Sequence, residues 1–142
     1  MTLCENAFSI AQKELGISEV PGVGNNPRIL LYHKACDSAF TSDSVPWCAA
    51  FMNWCLQQAG GKGTRSAMAR SFLAWGKKVT IPKPGDVVVF KRGTDGISGH
   101  VAFFVSATER SIKVIGGNQS NAVTYTTLNK TNLLGYRRSL DG

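Results

Sequence analysis

Residues 46–61 read PWCAAFMNWCLQQAGG, and this stretch decides how the rest of the chain is read. Ala49, Ala50, Met52, Trp54, Leu56 and Ala59 favour a helix, and Gly60-Gly61 end it. Pro46 suits a first turn, with Asp43 or Ser44 as the expected N-cap. Upstream, Leu3, Ala7, Ile10, Ala11 and Leu15 recur at helical spacing and Gly16 stops the run. Residues 17–26 are loop, and Pro27 opens a second helix holding Ile29, Leu30, Leu31 and Tyr32. Residues 37–45 are polar and loop-like, and a further helix is expected from about Ser66 to Trp75.

Beyond Pro82 the composition changes to Val, Phe, Thr and Gly. Strands are expected at 86–91, 100–106, 111–116, 122–126 and 134–138. The short connections make the sheet antiparallel. Helices first and strands after define an α+β fold: N-terminal helices packed on a C-terminal antiparallel sheet of about five strands. The 142 residues fit one domain spanning 1–142.

Sixteen Lys and Arg against nine Asp and Glu give a formal net charge of +7, spread without an aromatic-laced basic run. This argues against a nucleic-acid groove and is compatible with attraction to an anionic cell envelope. No apolar run is long enough for membrane insertion, and the first ten residues do not read as a signal peptide. The expectation is a protein made in the cytoplasm, a monomer, acting in the periplasm or cell wall, or secreted. Cys4, Cys36, Cys48 and Cys55 form no CxxC pair, so a zinc site is not expected. Asp37 and Asp43 lack the regular calcium-loop spacing, so neither metal nor organic cofactor is expected.

Cys48 falls in the first turn of the strongest helix, where unpaired backbone N–H groups favour thiolate. A buried structural cysteine is the plainer alternative. Of the two histidines, His33 ends a helix and suits capping, whereas His100 follows a glycine and opens a strand. An imidazole at that strand mouth can take a thiol proton and return it to a leaving amine. Asn118, after Gly116-Gly117, is the expected residue to fix the imidazole tautomer, although Gly-Asn turns are common in hairpins. Gln119 is an alternative there as an oxyanion donor. Trp47 either walls the cleft or packs in the core, while Trp54 and Trp75 read as core. Glu19 and Asp43 are the carboxylates expected to line the cleft, and Asp86 is expected to cap a turn.

The order Cys, His, polar residue is that of papain-like cysteine enzymes. The strings Val45-Pro46-Trp47-Cys48-Ala49-Ala50-Phe51, Pro84-Gly85-Asp86-Val87-Val88-Val89-Phe90, Gly99-His100-Val101 and Gly116-Gly117-Asn118-Gln119 resemble the CHAP/NlpC-type superfamily. The likeness runs from about Ala7 to Arg138 and is nearest to small phage and bacterial proteins within that group. It implies peptidoglycan as the partner and amide bonds of the stem peptide, or the bond joining it to sugar, as the target. It also implies Cys48, His100 and Asn118 as the triad, with the third position variable. A phage lysis enzyme, a delivered toxin-like amidase and a non-catalytic wall-binding module are the roles it leaves open.

Overall fold

In a computed structural model, residues 1–20, 25–36 and 47–142 are described. Among them lie three α-helices, α1 (Leu3–Lys13), α2 (Pro27–His33) and α3 (Cys48–Gln58), and six strands. The strands are β1 (Lys77–Val79), β2 (Val87–Lys91), β3 (Gly99–Ala107), β4 (Ser111–Gln119), β5 (Ala122–Asn129) and β6 (Leu133–Arg138). They form one antiparallel sheet in the order β1-β6-β2-β3-β4-β5. The α+β expectation holds, with six strands rather than about five. None of the helices is long and apolar enough to cross a membrane.

Helix α1 starts in a capping box, with the Thr2 hydroxyl accepting from the Glu5 N–H and the Glu5 carboxylate accepting from the Thr2 N–H. Its buried face is Cys4, Ala7 and Ala11, small residues that let it lie close to α3. Leu15 falls beyond the helix and is exposed. At its end, Glu14 takes both Arg28 (2.6 and 3.0 Å) and the Tyr32 hydroxyl (2.7 Å), clamping α2 to α1. The segment expected as a helix over 66–75 is a 3-10 helix, Ala69–Ala74, whose buried residues Ala69 and Phe72 sit three apart.

Helix α3 lies against β3 and β4. Nine of its residues, Cys48 through Leu56, are buried, so it is a core helix on every face. Strand residues Val87, Val89, Val101, Phe103 and Ile115 share its cluster. The alternate residues Val88, Phe90, Ala102, Phe104 and Val114 build a second cluster on the sheet's other face. Burial on both faces explains why these strands read as continuous apolar runs.

Asp86, before β2, caps a turn as expected, its carboxylate accepting from the Lys83 N–H at 2.8 Å. It also pairs with both Arg138 nitrogens at 2.7 Å, tying the start of β2 to the end of β6. Asp86→Ala leaves a largely buried guanidinium without its counter-ion. We expect a loss of about 2–3 kcal/mol, measured as a lowered urea midpoint with an unchanged slope.

Candidate active site

The candidate groups lie on elements that pack together, Cys48 at the start of α3 and His100 and Gln119 on β3 and β4. Trp47 is the N-cap of α3 and supplies no side-chain hydrogen bond. The N-cap expected at Asp43 or Ser44 is corrected to Trp47. Asp43, Ser44 and Asp37 lie outside the described residues. Trp47 is wholly buried among Tyr32 and Phe51, so it is core and not a cleft wall. Its indole N–H donates to the Glu19 carboxylate at 2.9 Å. That carboxylate therefore anchors the tryptophan beneath the site, in place of the cleft-lining role expected for it. Trp54 is buried as expected, and Trp75 packs on the core only partly buried.

Gly117 permits this approach. A Cβ there would lie 2.7 Å from Phe51 Cβ and 2.8 Å from the Trp47 ring. Gly116 leaves room for the Gln119 side chain, whose Oε1 would sit 3.0 Å from an added Cβ. Cys48 thus becomes the first residue of α3, at the contact of that helix with β3, the strand that carries His100. The Val101 N–H, one residue beyond His100, and the first-turn N–H groups of Ala49 and Cys48 itself all act on the Cys48 sulfur.

His100 lies opposite Phe90 in the β2–β3 register, with the ring centroids 6.5 Å apart. Its Nε2 is 2.8 Å from Gln119 Oε1. The Gln119 amide nitrogen donates to the Thr124 carbonyl at 2.6 Å. A carbonyl only accepts, so Gln119 must present its oxygen to the ring, and His100 must carry its proton on Nε2. Nδ1 is then a lone pair. It receives the guanidinium of Arg92, at 3.2 Å.

Gln119, not Asn118, is therefore the side chain on the imidazole. Asn118 sits in the left-handed region (φ 58°) and has no side-chain hydrogen bond among the described residues. Gln119 also cannot serve as an oxyanion donor while its N–H groups face Thr124. Arg92 and Thr124 escaped the sequence reading. Arg92 lies just past the end of β2, two residues beyond the Phe90 that pairs with His100, so its nearness to the imidazole came only with the hairpin's geometry.

Electrostatics correct one further expectation. Burial raises the Cys48 thiol above its ordinary value, against the Val101 N–H, the Arg92 charge and the helix-start amides, which all favour thiolate. Burial likewise lowers His100 to about 4, reinforced by Arg92 and opposed by the Gln119 contact. Both groups are neutral at pH 7 in this closed state. All four cysteines are free and buried, so surroundings rather than exposure distinguish Cys48.

The His100 shift has a consequence for stability. The imidazole binds a proton near 6.5 when unfolded but only near 4 when folded. Its contribution is thus complete above about pH 6.5 and is lost as pH falls towards 4. Linkage sets the loss at about 3 kcal/mol. Urea titrations at pH 7 and pH 4 should show wild type losing that much more than His100→Asn.

The architecture defines a class before it defines a family: a papain-like α+β domain with a cysteine at the start of a helix and a histidine on a strand that this helix packs against. The CHAP domain family model matches residues 40–118, and the chain belongs to that family. Its fold is similar to that of an NLP/P60-family lipoprotein from Staphylococcus aureus subsp. aureus Mu50, with a TM-score of 0.60 and 18% identity over 97% of this chain. It is also similar to NlpC1 from Trichomonas vaginalis, with a TM-score of 0.58 and 17% identity over 96% of this chain. The chain spans 41% and 44% of the lengths of these two proteins. No curated protein matches it in sequence.

Proposed function

We propose that this chain is a cysteine hydrolase that cuts amide bonds in the peptide part of peptidoglycan. The observation that carries the reading is the Thr124–Gln119–His100 relay. It fixes a lone pair on His100 Nδ1, one residue before Val101, whose N–H acts on the Cys48 sulfur at an uncapped helix start.

In the proposed reaction the Cys48 proton passes to Nδ1 and the sulfur attacks an amide carbonyl. The developing oxyanion is held by the Cys48 backbone N–H, a first-turn amide of α3 that has no partner within the helix and turns from the sulfur to the new charge. The imidazolium, held in register by Gln119, protonates the leaving amine as the tetrahedral centre collapses to a thioester. Water, deprotonated by the same nitrogen, releases the acyl group and restores the thiol. Substrate must open the closed site for this chemistry, since Cys48 is 6% and His100 1% exposed.

The biological role we favour is a lysis enzyme of a phage, acting at the wall, with net charge +7 drawing it to an anionic envelope. The test is digestion of purified peptidoglycan with parallel assays of new primary amines and new reducing sugars. Amines should rise without reducing sugars, and mass spectrometry of the fragments then names the bond. Release of reducing sugars alone would refute the proposal.

A further inference from the structure

Arg92 is an exposed cation at the β2–β3 hairpin, and among the described residues no carboxylate pairs with it. Its neighbours show what arginines elsewhere in the chain do instead. Arg138 is neutralised by Asp86 and Arg28 by Glu14. Asp95, in the same hairpin, spends its carboxylate on the Ile97 and Ser98 N–H groups and the Ser98 hydroxyl. The Arg92 guanidinium is left to donate to His100 Nδ1, the atom that must accept the Cys48 proton. Guanidinium has no acceptor, so while this contact lasts Nδ1 cannot act as a base.

The charge of the same cation favours the thiolate form of Cys48, so Arg92 acts on both members of the proposed pair. A planar fork of donors in that position matches a carboxylate far better than it matches a neutral imidazole. We propose that Arg92 is a specificity residue that binds a carboxylate carried next to the scissile amide, and that this docking withdraws it from His100 Nδ1 and frees the base. Acidic peptides would then be both bound and activating, whereas their amidated counterparts would leave Nδ1 blocked. The inference rests on the cysteine-hydrolase reading above.

Two alkylating reagents of equal size separate the possibilities without requiring the natural substrate. Iodoacetate carries a carboxylate where iodoacetamide carries a neutral amide. Labelling of Cys48 is followed at pH 7 by peptide mass spectrometry, with free cysteine as the reference. In wild type the iodoacetate-to-iodoacetamide rate ratio should exceed that of free cysteine about tenfold. Arg92→Gln should bring it down to the free-cysteine ratio while iodoacetamide labelling holds or rises, and Arg92→Lys should keep part of the preference. A ratio unchanged by Arg92→Gln overturns the proposal while leaving the hydrolase reading intact. Cys48 labelled by neither reagent faster than buried Cys36 overturns both.

Discussion

Cys48→Ala should abolish hydrolysis of purified peptidoglycan, with a fall of at least about 10⁴-fold, while leaving the fold in place. The rate effect follows from the loss of the attacking atom: among the described residues, the partners of the His100 ring, Gln119 and Arg92, are not nucleophiles, and in a unit of this kind one deletion removes nearly the whole catalytic advantage. The structural effect is small because one sulfur is removed at a helix start whose neighbours, Ala49 and Ala50, are themselves small. The cavity is that of a single heavy atom, for which about 1 kcal/mol is expected. Near-wild-type circular dichroism with absent amine release is the expected pair of results. Retained amine release would remove Cys48 from the mechanism.

Gln119→Leu should lower the rate about 10³-fold, whereas Asn118→Gly should change it by less than about threefold. Leucine fills the space of glutamine but offers no acceptor to His100 Nε2. The imidazole is then free to carry its proton on Nδ1, the tautomer that cannot accept from a thiol. Where a charged partner is lost, a wrong tautomer costs about 10⁴-fold, and a neutral amide partner sets a somewhat smaller figure. Gln119 and Arg92, not Asn118, are the partners of the two ring nitrogens, and glycine adopts the left-handed backbone of Asn118 without strain. If Asn118→Gly proved as damaging as Gln119→Leu, the relay described above would be misassigned.

The exchange of Asn118 for Gln119 shows where sequence reasoning stops. In β4 the partners run Ile115 with Tyr125 and Gly116 with Thr124, then jump to Gln119 with Ala122. Three steps on β4 match two on β5, so one extra residue is inserted as a bulge. Strict alternation would turn Asn118 to the face of His100, and the bulge hands that face to Gln119 instead. A Gly-Gly-Asn string signals an irregularity but not its parity. The same string read as a turn concealed that β4 continues to Gln119.

Other elements were legible because they obey a single period. The α1 and α3 residues follow helical spacing, and β2 and β3 are apolar runs of strand length. Strand β1 was not, since Lys77-Lys78-Val79 is short, basic and at a sheet edge, where charge is common and pattern is weak. Cys48 and His100 were picked out by their order along the chain and by the four strings, since local position alone left a buried structural cysteine the plainer reading. Their protonation was misjudged because burial, a property of the whole fold, outweighs the helix-start field that the local sequence announces.

The account stands most directly on one titration. Purified protein is treated with graded iodoacetamide, and the fraction of Cys48 alkylated is plotted against the amine-releasing activity that remains. A one-to-one loss, complete when Cys48 alone is modified and Cys4, Cys36 and Cys55 are not, is the predicted result. Full activity in protein whose Cys48 is fully alkylated would contradict it.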